Sequence, residues 1–160
     1  RSGKILGHAA AAWHGGTGAA VLTSTAASLS GPQAFAEAGV APADIDYASV
    51  YDSFTITVIM QLEDLGFCAK GEGGRFVDEH DLRCSGDFPL STDGGQLSGG
   101  QPGGAIGGFM PLIEAVSQVR GEAGGRQVKD ARIVASCGFG GIPYGRPGRS
   151  CVSLIFGNEG

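Results

Sequence analysis

Residues Gly94 to Gly108 read GGQLSGGQPGGAIGG, eight glycines in fifteen positions, and they run straight into an apolar-periodic segment. Such a stretch is either a loose linker or backbone that must approach something closely, because only glycine accepts left-handed φ and leaves no Cβ in the way. Flexible linkers are serine-rich and charged or featureless. This one carries Leu97, Pro102 and Ile106, and it lies between a strand-like segment and a helix-like one. That context predicts a built loop at a site.

At 160 residues the chain is long enough for one domain with a real core, and residues 1–160 are read as a single unit. Its thirty glycines show no three-residue period, which excludes a collagen-like chain. The net charge of −5 gives no electrostatic reason for nucleic acid or an anionic membrane as partner. No window approaches the length of continuous apolar sequence that spans a bilayer, and RSGKILGHAAAAWHGG lacks a signal-peptide pattern. Cys68, Cys84, Cys137 and Cys151 form no CxxC pair, and His8, His14 and His80 do not complete a zinc pattern. The expectation is therefore reduced thiols, no metal, and a cytoplasmic protein. His80, in the run Asp78-Glu79-His80-Asp81, is expected in a solvated loop.

Strands are expected over Lys4–Trp13, apolar enough to be buried, and over Tyr47–Tyr51, Ala131–Cys137 and Ser150–Phe156. Pro32–Ala38 reads as a short helix with Phe35 inward and Gly39 as its stop, and Pro42–Asp46 as a turn. Phe54–Leu65 is apolar on nearly all sides and is expected to be a buried helix ended by Gly66. Ala105–Arg120 reads as an amphipathic helix with Ile106, Phe109, Ile113 and Val116 on its inner face. Cys68–Pro89 is expected to be a surface excursion. The alternation predicts an α/β fold, a mixed, mostly parallel sheet flanked by helices, with the last two strands antiparallel.

Ligands of α/β folds bind where strands end and loops begin. Three segments lie at such ends: Tyr51-Asp52-Ser53-Phe54, the glycine loop with Gly99-Gly100-Gln101-Pro102 at its centre, and Ser136-Cys137-Gly138-Phe139-Gly140-Gly141. The sheet is expected to bring them together. Taken alone, Asp52 reads as an N-cap of the Phe54 helix.

In these segments the chain resembles the C-terminal half of a thiolase, on the branch of the sterol-carrier-protein thiolases and the lipid-transfer-protein-like aldolases. The resemblance runs from about Lys4 to Gly157 and is strongest from APADID at 41–46 through LEDLGF at 62–67 to the glycine loop. Thiolase C-terminal halves carry in order an NEAF-type motif (HDxF in the sterol-carrier branch), a GHP motif and a CxG motif. Here those places read YDSF, GQP and SCGFGG.

The resemblance implies an enzyme of acyl-CoA thioesters with no covalently bound cofactor and no metal in this chain. It implies catalytic roles for Tyr51, Gln101 and Cys137, with either Ser136 or Cys137 at the CxG cysteine. Ser98, Gly99, Gly100, Gly138 and Gly140 are the implied oxyanion and CoA contacts. Gln101 replaces the basic histidine; an amide can hold an oxyanion but cannot take a proton near neutral pH. Tyr51 stands in place of asparagine or histidine, and a phenol can donate to an oxyanion or serve as acid or base when its pKa is lowered. The relatives that cleave steroid side chains by retro-aldol chemistry resemble the chain in this tyrosine. The choice within the enzyme class is thus between thiolytic acyl transfer and retro-aldol cleavage.

The family's nucleophilic cysteine belongs to an N-terminal half, which these residues do not contain, so the chain alone is expected to be inactive. The implied partners are acyl-CoA, a second copy in a homodimer, an N-terminal thiolase half and an OB-fold, zinc-containing protein. A rival reading is a non-catalytic acyl-CoA- or lipid-binding or scaffolding module. Gln101→His, which restores a base without the other half, is expected to leave acetoacetyl-CoA thiolysis by this chain at background, as followed by loss of the enolate absorbance.

Overall fold

The computed structural model describes residues 2–12, 22–100, 108–140 and 150–158. Four strands carry the fold: β1 (Gly3–Ala12), β2 (Tyr47–Val50), β3 (Ile133–Gly140) and β4 (Ser150–Asn158). The helices are α1 (Ala27–Ala38), α2 (Thr55–Asp64), α3 (Gly73–Glu79), α4 (Gly95–Gly99) and α5 (Met110–Arg120). Gly39 ends α1 in the left-handed conformation, its N–H bonded to the Ala36 carbonyl, as its place after the apolar run predicts. Pro42–Asp44 forms a 3₁₀ turn where a turn is expected.

The sheet order is β1-β4-β3-β2. Strands β1, β2 and β3 run one way and β4 runs against them, paired to β1 on one side and β3 on the other. The mostly parallel sense is kept by three strands of four. Because β4 is inserted between β1 and β3, however, β2–β3 is the one parallel neighbour pair of the named strands. The short return between β3 and β4 gives the antiparallel pair expected of it.

Period-two alternation splits β3 between two helical layers. Ala135, Cys137 and Phe139 join Val50, Cys151 and Ile155 in a core covered by α1 and by Leu65 beyond α2. On the other face Val134 packs with Tyr47, Phe156, and Ala115 and Val119 of α5. The sheet is therefore a middle layer covered on both faces.

Small residues set the distance between layers. A Cβ at Gly7 of β1 would lie 2.1 Å from the Ala34 carbonyl oxygen of α1, so the helix backbone rests on the strand there. At its other end α1 is tied to α2: the buried Asp64 carboxylate accepts the Thr25 N–H and an ion pair from Lys70 Nζ at 2.8 Å.

Three expectations are corrected. Helix α2 is not buried all round, since Phe54 and Ile56 are 62% and 56% exposed while Leu62 and Leu65 pack inward. The inner face of α5 is not the expected apolar stripe: Val116 packs against the core, but Phe109 and Ile113 are 57% and 55% exposed, and Glu114, Ala115, Gln118 and Val119 are buried. Ile106 lies outside the described residues. Strand β1 is not buried but is a sheet edge, with Ile5 60% and Leu6 38% exposed. His80 lies in the bend after α3, in keeping with the expected loop, its ring 4.2 Å from that of Phe76 and Nδ1 2.6 Å from Asp87 Oδ2.

Gly7→Ala has no room without separating β1 from α1. It is expected to destabilise the fold by about 1–3 kcal/mol, read as a lower urea midpoint at unchanged slope.

Candidate active site

Tyr51 follows the last residue of β2. Its N–H donates to the Cys137 carbonyl at 3.0 Å, which carries the parallel ladder one residue past the strand. Its carbonyl accepts from Nε2 of Gln61, a wholly buried residue of α2. The half-buried Tyr51 ring lies stacked against Phe139 of β3, centroids 5.7 Å apart and planes within 10°. Backbone on both sides and a ring on one face fix this phenol in place.

Asp52 does not cap the helix that follows it. The N-terminus of α2 is closed instead by Thr57, whose Oγ1 accepts the Phe54 N–H at 3.2 Å. The Asp52 carboxylate, only 7% exposed, reaches into the glycine segment: Oδ1 accepts the Gln96 N–H at 2.8 Å and Oδ2 the Leu97 N–H at 3.1 Å. It caps α4. A Cβ at Gly95 would meet Oδ2 at 2.2 Å, and Gly95 holds φ +58°, so glycine is required there twice over. Ser98, Gly99 and Gly100 continue from this anchor into solvent. Gln101 lies outside the described residues.

On β3, Ser136 and Cys137 face opposite ways. Cys137 is wholly buried in the α1 side of the core, with the Ser153 hydroxyl 3.8 Å from its Sγ. Its thiol is pushed well above the ordinary range, first by hydrogen bonding with Cys151 and then by burial. A thiol so placed stays protonated and out of reach of solvent. Ser136, also buried, pairs with Ser49 of β2 and by alternation faces the α5 side. Gly138 shares that face, and a Cβ there would lie 3.0 Å from the carbonyl oxygen of Gly108, which precedes α5. Gly140 closes the strand, its carbonyl accepting from the Ser150 hydroxyl at 3.1 Å. The three segments singled out in the sequence therefore meet at one end of the sheet, through Tyr51–Phe139, Asp52–Gln96/Leu97 and Gly138–Gly108.

Beneath the glycine segment lies a polar network that the apolar pattern did not reveal. Glu114 of α5, 3% exposed, accepts from Thr92 Oγ1 (3.0 Å), Gln118 Nε2 (3.0 Å) and Arg126 Nη2 (2.9 Å). Thr92 also donates its N–H to the Tyr47 hydroxyl at 3.3 Å. Burial pushes the Tyr47 phenol up to about 12. Burial alone would raise Glu114 too, but the bonds from Arg126, Gln118 and Thr92 outweigh it and hold the carboxyl below its ordinary value. The available signal was Glu114 and Gln118 four apart on one helix, with Arg126 just beyond its end.

Phe54, Leu97 and Phe109, all more than half exposed, lie in the first segment, in the glycine segment and just after it. Among the described residues no group of three or more His, Cys, Asp or Glu could hold a metal, and no helix is long and apolar enough to cross a membrane.

A carboxyl depressed on folding stabilises the fold fully above its ordinary value of 4.5, and that contribution is lost as pH falls through the lower folded value. Glu114→Gln is therefore expected to lower stability at neutral pH and to flatten the fall in Tm below pH 4.5, measured by thermal melts across the acid range.

Comparison with known proteins agrees with this fold. Residues 9–147 match the family described as thiolase C-terminal domain-like. An acetyl-CoA acetyltransferase of Methanothermobacter thermautotrophicus is 45% identical over 108 residues, 68% of this chain and 28% of that protein. A steroid side-chain-cleaving aldolase of Thermomonospora curvata is 38% identical over 112 residues, 70% of this chain and 28% of that protein. The chain thus spans well under a third of the length of either. Among solved structures the Ltp2–ChsH2(DUF35) aldolase superposes with a TM-score of 0.77 at 34% identity, covering 96% of this chain and 38% of its own. The chain belongs to the thiolase C-terminal domain-like family.

Proposed function

We propose that this domain supplies half of an acyl-CoA site and that the reaction there is retro-aldol cleavage of a β-hydroxyacyl-CoA. The observation that carries the reading is Tyr51, held by backbone on both sides and by Phe139, where the glycine segment meets the ends of β2 and β3. In such a cleavage the β-hydroxyl gives up its proton and the bond between the α and β carbons breaks. Its electrons move into the thioester as an enolate, a carbonyl product leaves, and the α carbon is then protonated. Tyr51 would serve as the proton carrier or as a donor to the developing oxyanion.

The remaining roles follow from placement. The backbone around Ser98–Gly100 and Gly138–Gly140 would hold the thioester oxygen, and the Gln101 amide joins it on its place in the sequence pattern alone. Two candidates stand at the CxG position: Ser136, on the α5 side with Gly138, and Cys137, on the α1 side where Tyr51 and Phe139 pack and where its thiol is pushed up. The exposed Phe54, Leu97 and Phe109 are an apolar rim of the kind that covers against further protein. They support an N-terminal thiolase half packed here. The two-component name of the solved aldolase supports a second protein as partner, and homodimerisation belongs to the same proposal.

A non-catalytic acyl-CoA-binding module is the second reading, favoured by glutamine at position 101 where the family's base stands. The two are separated by Tyr51→Phe in the whole enzyme that carries this domain, assayed for release of the carbonyl product. The retro-aldol reading expects kcat to fall by about 10²-fold or more with KM little changed. An unchanged kcat, or no cleavage by the parent enzyme, favours the binding module.

A further inference from the structure

We infer that Asp52 is a positioning residue that couples Tyr51 to the glycine segment, so that the two parts of the site move as one body. The inference deepens the proposed reading and rests on it only for its functional meaning; the coupling itself stands on the following geometry.

The chain from Pro89 to Leu97 is strapped along the free edge of β2. At Ala48 the strap behaves as a parallel strand: the Ala48 N–H donates to the Pro89 carbonyl at 3.1 Å, and the Ser91 N–H donates to the Ala48 carbonyl at 2.9 Å. It then turns away, with Ser91 at φ +44°. Backbone no longer reaches backbone, and side chains take over. At Val50 the Ser91 hydroxyl bridges, accepting the Val50 N–H at 3.3 Å. At Asp52 the carboxylate bridges, accepting the Gln96 and Leu97 N–H groups. Alternate residues 48, 50 and 52 thus hold one strap, and each next link depends more on a side chain.

The last link bears most directly on chemistry. Asp52 is bonded in sequence to Tyr51, and the two amides it holds open the helix that leads to Ser98–Gly100. A carboxylate is the side chain suited to it, because both oxygens must accept and both are turned to backbone N–H groups. Asparagine would present an NH₂ to one of those donors. Gly95 shows the same fit from the other side, since a Cβ there would overlap the carboxylate. A displacement of the glycine segment is therefore felt at Tyr51 through one residue, without ligand, metal or rearrangement of the sheet.

Two measurements on the full chain test this. Asp52→Asn is expected to speed amide exchange across 94–100 by about tenfold or more while exchange in 133–139 stays as in the parent. The second measurement follows the Tyr51 ring resonances in tyrosine-labelled protein. Gly95→Ala is expected to shift them, and the same substitution made on an Asp52→Ala background is expected to leave them where Asp52→Ala alone puts them. Faster exchange with no Tyr51 shift in Gly95→Ala would show a local cap and overturn the coupling, as would an equal shift with and without Asp52. Unchanged exchange in Asp52→Asn would remove the latch itself. Neither measurement uses an acyl-CoA, so an inactive or non-binding parent enzyme would count against the proposed function and leave this result standing.

Discussion

A buried carboxylate whose hydrogen bonds come from main-chain N–H groups needs that backbone to be brought to it, and the backbone needs room to come. Asp52 and Gly95 are the two sides of this requirement. The same constraint recurs through the molecule: β1 and α1 touch through Gly7 and Ala34, and β3 and the start of α5 through Gly138 and Gly108. Close approach shortens the distance between layers but removes apolar side-chain volume from each contact. The fold offsets this with buried polar links, of which Asp64–Thr25, Ser30–Ser153 and Glu114–Thr92 join elements far apart in sequence. A buried polar group left unpaired is costly, so such links fix register as firmly as packing does.

Much of the architecture was legible because it rests on local chemistry. The extent of strand β1, the 3₁₀ turn at Pro42–Asp44, strand β2 and the stop at Gly39 all follow from apolar runs, proline and glycine within a few residues of themselves. What stayed hidden depends on partners distant in sequence. The inner face of α5 carries Glu114 and Gln118, which are buried because Thr92, Arg126 and Gln127 meet them there, while Ile113 is turned outward. A hydrophobic pattern counts polar residues as surface and so rotates the helix wrongly. The placement of β4 between β1 and β3 was hidden for a similar reason, since alternation along the chain gives strand direction without giving neighbours.

The site was legible in its parts and not in its wiring. The three segments meet as strand ends in an α/β fold are expected to, and the tyrosine, the glycine segment and the SCGFGG strand are all at one end of the sheet. Asp52 was read as a cap, correctly as to chemistry, but of the wrong helix. Local rules favoured the nearer N-terminus, and nothing in the sequence says that Thr57 already closes it. The error concealed the contact that joins two of the three segments.

Facing divides the third. In an extended strand, neighbours one residue apart serve different sides of the sheet, so Ser136 and Cys137 cannot serve the same one. Cys137 lies beside Cys151 and Ser153 within the α1 core, where a thiolate would be desolvated and the protonated form is favoured. Ser136 lies with Ser49 and Gly138 toward α5 and the glycine segment. Under the proposed reading the named site residues are a phenol, an amide, backbone N–H groups and, at the CxG position, a hydroxyl or a protonated thiol, with no thiolate and no imidazole among them. Such a set stabilises developing negative charge on oxygen better than it generates a nucleophile. Bond cleavage toward an enolate makes that demand, whereas thiolysis also needs a base to ionise a thiol, and this domain offers none at the positions where the family keeps its own.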